Sequence, residues 1–296
     1  MFKNLILYRL LPEWTISAEQ LQERLSQHGL PEAGLEMQQF GWVPPRKGGE
    51  LCVTSGGDQL LFALRAQKRL LPSTVVKQVA ADRIDEITEQ QGYRVGKKQR
   101  KEITDRVHDE LLPKAFLVHR DTQVWIDLKN RWMAIDTATS SKADEVVGFL
   151  AKCVDPFPIQ NLHVAQPPAS AMTGWLAEDE APANFSIDQD TELRSSGESG
   201  AAIRYVKHSI DADDARRHIQ SGKQCTRLAM TWADRISFVL TENFVLKSIR
   251  PLDVLRENQE QADNEEERFL SNFTLMSGEY NRMLTELIDA HGGARD

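Results

Sequence analysis

The chain has 296 residues, 41% of them hydrophobic and 27% charged, enough for two or three compact units around a proper core. It has no run of about eighteen apolar residues to span a membrane, and Cys52, Cys153 and Cys225, odd in number and far apart, argue against a disulfide framework or a structural zinc site. The formal charge of −8 is unevenly spread: residues 94–120 hold eight Lys/Arg against four Asp/Glu and residues 201–250 hold nine against five, so two islands of +4 leave −16 for everything else.

"MFKNLILYRLLPEW" opens with an apolar patch but has no basic leader and no small-residue cleavage site. It reads as a strand, and the protein is expected in the cytoplasm. "SAEQLQERLSQHG" predicts a helix, with Ser17 and Gln20 at capping-box spacing and Gly29 suited to its C-terminal cap. "FGWVPP" ends an extended segment, and "ELCVTSGGDQLLFALRAQ" predicts two strands joined at "SGGD". From Pro72-Ser73 the period changes. Val75, Val76, Val79, Ala80, Ile84 and Ile87 have helical spacing, with Ser73 as N-cap. Gly92 and Gly96 interrupt the pattern, and Ile103, Val107 and Leu111 resume it until Pro113. This predicts a helical hairpin with "YRVGKKQRK" (93–101) at its bend. On the second helix Lys97, Lys98 and Lys101 share a face that points away from the Ile103–Val107–Leu111 stripe.

"QVWIDLKNRWMAIDTAT" returns to strands, with Val124, Ile126 and Leu128 alternating before a turn at "KN". "SKADEVVGFLAKCV" is a helix. Residues 164–200, rich in Ala, Pro, Ser, Gly and acid, read as an irregular connection and a domain boundary. Beyond it come a short helix at "DADDARRHIQSGK", a strand with Thr226, Leu228, Met230 and Trp232 inward, two more strands in a meander, and an acidic helix from Asp263 to His291. The fold class is α+β, with a helical hairpin inserted between strand groups.

The chemistry this order permits is narrow. Seven scattered histidines and no HExxH or CxxC name no metal site and no cofactor. "GYRVGKK" lacks both the glycine spacing and the Ser/Thr of a phosphate-binding P-loop. No serine elbow or Cys–His signature offers a catalytic nucleophile. A metal-dependent nuclease would use Asp127 and Lys129 as an acid-x-Lys pair, with Asp121 and Asp136 nearby; the competing reading is surface charge flanking a turn. The two basic islands fit a polyanion, by phosphates rather than bases because only Tyr93 accompanies the first, or else they are solvated faces. The candidate contacts are Arg94, Lys97, Lys98, Arg100, Lys101 and Lys114 in the first island and Lys223 and Arg227 in the second. A third reading is an interaction module whose acidic C-terminal region meets a protein partner.

"FKNLILYRL" at the start, "GWVPP" at 41–45, "LLPSTVVKQ" at 70–78, "LLPKAF" at 111–116, "VWID" at 124–127 and "GKQCTRLAMTWADRISFVL" at 222–240 resemble, in order and spacing, the recombination-associated RdgC family. The resemblance implies a horseshoe-shaped subunit with a central region (1–72 and 117–165), a helical tip (73–116) and an α/β base (166–296). Two subunits would close tip to tip and base to base into a ring. The ring would hold duplex DNA without sequence preference, restrain RecA-dependent recombination and lack catalysis, in the cytoplasm at the nucleoid. Carried onto this chain, the family's tip contact falls on Phe116, its basic tip helix on residues 94–101, a base contact on Lys207 and a basic position on Lys223. His208 stands where the family pattern has Gln. Without the resemblance, Phe116 reads as a core residue opening the next strand, because Phe is usually buried; with it, as an exposed contact at the hairpin's apex.

Overall fold

The structure is a computed structural model that describes residues 2–32, 34–195, 197, 200–256 and 264–295. The first half is organised by β1 (Ile6–Leu10), α1 (Ala18–Ser26), β2 (Gln38–Val43), β3 (Val53–Ser55) and β4 (Gln59–Leu70). α1 starts with the expected capping box: the Ser17 hydroxyl accepts from the Gln20 N–H and the Gln20 side chain accepts from the Ser17 N–H. Its C-terminal cap is Gln27, not Gly29; Gly29 instead bridges Trp42, and a Cβ on the neighbouring Gly41 would fall 2.1 Å from the Leu30 backbone. The β3–β4 hairpin turns at Gly56 and Gly57, both at positive φ, as the "SGGD" stretch predicts.

The inserted hairpin follows as α2 (Ser73–Gln91) and α3 (Lys97–Leu111), then a single 3-10 turn over Leu112–Lys114. Pro72 rather than Ser73 is the N-cap of α2, and it offers no side-chain bond; its fixed φ of −62° with an extended ψ already sets the entry to the helix. The chain returns as β5 (Phe116–Asp127), β6 (Trp132–Ile135), α4 (Ser140–Cys153), β7 (Ile159–Asn161) and β8 (His163–Val164). Strands β1 to β7 form an antiparallel seven-stranded sheet in the order β2-β4-β5-β6-β1-β7, with β3 on β4. Val124, Ile126 and Leu128 face one side and Trp125 the other, as the alternation predicts, and all of Val124 to Asp127 are buried. The sheet is covered on both sides. On one side α1 and α4 bring Leu21, Leu25, Val146 and Leu150 against Phe62, Val124 and Ile126.

The stretch expected to be an irregular connection contains α5 (Pro168–Glu178) and β9 (Phe185–Ser195), an eleven-residue strand. After it come β10 (Ala202–Tyr205), α6 (Ala212–Gln220), β11 (Lys223–Trp232), β12 (Ile236–Thr241), β13 (Leu246–Pro251), α7 (Asp253–Arg256), α8 (Glu265–Ala290) and β14 (Ala294–Arg295), which pairs with β8. β9 lies inside a five-stranded antiparallel sheet of order β10-β9-β11-β12-β13. A bulge between Cys225 and Arg227 shifts the phase of β11, so that Cys225, Leu228, Met230 and Trp232 join the core. Thr226 is therefore not on the core side; its hydroxyl donates to Glu192.

α8 begins at Glu265, with Asn264 accepting from the Glu267 N–H, while the expected start at Asp263 lies outside the described residues. Its Phe273, Met276, Tyr280 and Leu284 pack with Trp125, Leu5 and Leu7 of the first sheet and with Met230 and Phe238 of the second in one cluster. The Leu5 and Leu246 backbones exchange hydrogen bonds at 2.8 and 3.1 Å, tying the two sheets together.

Candidate nucleic-acid interface

The hairpin has its own small core. Val76 and Ala80 of α2 meet Ile103 and Val107 of α3, and Val95 from the bend plugs the end. Gly92 closes α2 at φ 74°, a left-handed position that glycine takes without strain. With the stripe turned inward, Arg94, Lys97, Lys98, Arg100 and Lys101 are all exposed at the bend. Arg100 is partly committed, because its Nε donates to the Val95 carbonyl at 3.1 Å and staples the bend.

The lysines occupy an unusual electrostatic position. Lys97 and Lys98 are the first two residues of α3, which has no acidic residue in its first turn and no side-chain cap at Gly96. Free N–H groups and the positive end of the helix dipole repel cations there and attract anions. Acid lies further along: Glu102 and Asp105 follow one turn after Lys98 and Lys101, and Glu110 is held by Arg83 of α2 at 2.9 and 2.5 Å. That bond to Arg83 lowers the Glu110 pKa from the usual carboxylate value.

Not all of the first island gathers at the bend. Lys114 is exposed but lies past the far end of α3, about 22 Å away for a fifteen-residue helix. Phe116 is 81% exposed, so it is no core residue, although it does open β5. It is also not at the apex. Phe116 pairs with Leu70, the last residue of β4, so it marks the root where the hairpin leaves and rejoins the sheet. Leu70 and Val118, both exposed, extend the apolar surface around it.

The second island is more neutralised. Arg216 and Arg217 pair with Asp213 and Asp214 on α6, Arg235 with Glu279, and Arg204 with Glu192. Lys223 is half-buried and donates to the Ser221 hydroxyl at 2.9 Å. Arg227 is exposed at the β11 bulge. Lys207 and His208 are exposed after β10, where the Lys207 N–H donates to Asp190 and the His208 ring stacks on Tyr205.

The nuclease residues are not assembled. Asp127 is fully buried and its carboxylate accepts from the Asn130 N–H and side-chain amide, both at 2.9 Å, which builds the turn into β6. Asp121 pairs with Arg65, and Asp136 holds the N–H groups of Lys3 and Asn4. Among the described residues no group of three His, Cys, Asp or Glu could hold a metal ion, and no helix is long and apolar enough to cross a membrane. The three cysteines are buried free thiols, and burial pushes Cys52 and Cys225 up to about 12.

Fold and surface together define an α+β protein that concentrates five cations, with no acid among them, at the bend of an inserted helical hairpin. The family model described as "Putative exonuclease, RdgC" matches residues 1–294. A recombination-associated protein RdgC from Bordetella parapertussis is 62% identical over 99% of both chains. Proteins of the same name from Janthinobacterium sp. (strain Marseille) and Cupriavidus necator are 55% and 53% identical, over 99% of this chain and 98% and 99% of theirs. The chain belongs to the RdgC family.

Proposed function

We propose that the protein binds duplex DNA through phosphates, without sequence preference and without cleaving it. In this reading it acts as a homodimer that closes into a ring at the nucleoid and modulates RecA-dependent recombination. The observation that carries the DNA-binding reading is the exposed set Lys97, Lys98 and Lys101 at the acid-free N-terminus of α3. Cations placed where the helix dipole disfavours them are relieved by a polyanion. The dimeric reading draws support from the exposed Phe116–Leu70–Val118 surface at the hairpin root and from Lys207 and His208 beyond β10. A two-fold assembly would present each basic island twice around one axis, which reconciles DNA binding with a net charge of −8.

A gel-shift series with duplexes of unrelated sequence, run at rising salt and with added magnesium, tests this. The expected result is equal affinity across sequences, a steep loss with salt and intact strands. Shortened strands after magnesium would favour the nuclease reading, to which the exonuclease in the family description also points. No shift at low salt would favour a protein-interaction module.

A further inference from the structure

A cleft of about 610 Å³ opens between the first sheet and the uncovered face of the second. Tyr8 and the start of α4 form one wall, and β9 to β13 form the other. Four cations line it, Arg194, Arg204, Arg227 and Lys247, against three carboxylates, Asp144, Glu192 and Glu242. Glu192 is the organiser. It is buried, and its carboxylate accepts from the Thr226 hydroxyl at 3.0 Å, from Arg194 at 3.1 Å and from the Arg204 Nε. Burial alone would raise its pKa; the bonds from Thr226, Arg204 and Arg194 win and hold it below the ordinary carboxylate value.

This arrangement leaves donors to spare. A guanidinium carries five N–H bonds in a fixed fork, and Glu192 occupies only part of each arginine's set. Both arginines are about half exposed, at 48% and 59%. Arg227 and Lys247 form no ion pair with a carboxylate among the described residues. Across the cleft, α4 starts at Ser140, its N-cap Thr139 makes no side-chain cap bond and its first turn has no acid, so the free N–H groups of that turn add to the arginine donors.

We propose that this cleft is a phosphoryl-anion site, in which Arg194, Arg204, Arg227 and Lys247 hold the phosphate of a nucleotide or of a nucleic-acid strand. It does not depend on the hairpin reading, because no residue of the hairpin lines it. The formal excess is a single cation, so recognition rests on directed N–H donors. Its salt dependence is therefore shallower than that expected at the α3 lysines.

Titration calorimetry with inorganic pyrophosphate, on the full chain without magnesium, tests the site. The expected result is saturable binding that weakens about tenfold or more in Arg227→Gln/Lys247→Gln and is unchanged in Lys97→Glu/Lys98→Glu. Thermal unfolding of each variant shows that the fold is kept. No heat with the wild-type protein, retained affinity in the first variant, or an equal loss in the second would each overturn the site. A second titration after saturation with duplex DNA separates the sources: exclusion of pyrophosphate assigns the site to strand phosphates, and undisturbed binding assigns it to a free nucleotide. Gel shifts of the same variants keep the two ideas apart, since DNA binding can fail while pyrophosphate still binds, and the reverse.

Discussion

Lys97 and Lys98 sit where a helix least tolerates positive charge, and a Glu at either position would suit the dipole. Reversing both should therefore stabilise the hairpin by about 0.3–1 kcal/mol per site while weakening DNA binding. Each lost phosphate contact should also flatten the salt dependence by roughly 0.9 in log–log slope. Urea unfolding and gel shifts read the two effects separately, and unchanged DNA affinity would remove the hairpin from the interface. His291 makes a different test. It is fully buried between Trp175 and Phe244, and its Nδ1 lies 2.7 Å from the Leu287 carbonyl oxygen. Burial pushes its pKa below the ordinary value. The unfolded chain, titrating near about 6.5, then binds more protons than the folded one below that pH. Stability should be full above about pH 6.5 and fall as the pH drops through it, and His291→Gln should flatten that part of the curve in denaturant titrations. The two features differ in how far the sequence shows them. The lysines were legible because charge and helical period are both written locally, whereas His291 is one of seven scattered histidines until packing encloses it.

The inserted hairpin is the element that the sequence describes best. Two apolar stripes, two glycines and a proline predict two helices and a bend, and α2, α3 and the Gly92 cap follow them. Its core is separate from the two larger clusters and has five buried members. Val107→Ala should cost about 2 kcal/mol, mostly as local opening. Hydrogen exchange should speed up across residues 73–111 and leave β5 and α8 protected; uniform acceleration would mean that the hairpin unfolds only with the whole. β9 was illegible for the opposite reason. Its uncovered face carries Asp188, Asp190 and Glu192, and a register shift against β11 breaks the period, so its residues read as polar connection. The same kind of shift misplaced Thr226. A bulge adds one residue with no local signal, and every side chain beyond it changes face.

For the whole molecule, α8 and the Leu5–Leu246 backbone pair hold two antiparallel sheets around shared apolar packing. The hairpin root then presents Phe116, Leu70 and Val118 away from that core. If this surface joins two copies, Phe116→Ala should weaken the dimer about tenfold or more, since an exposed aromatic anchor dominates a small contact. Sedimentation over a range of concentrations measures it, and an unaltered dimer with unaltered DNA binding would count against the ring.

By itself the sequence determined what depends on neighbours along the chain: the α+β class, the α1 capping box, the hairpin and its lysine face, and thiols left as free cysteines. Tertiary structure decided what depends on distant partners. It buried Asp127 in a turn rather than at a metal site, and it made Phe116 a root residue by pairing it with Leu70, forty-six positions earlier. It also gathered Arg194, Arg204 and Arg227 around Glu192 beside a cleft whose other wall comes from β1 and α4. Periodicity reports which face a residue takes within its own element; which elements meet across that face is set by burial and hydrogen-bond satisfaction over the whole chain.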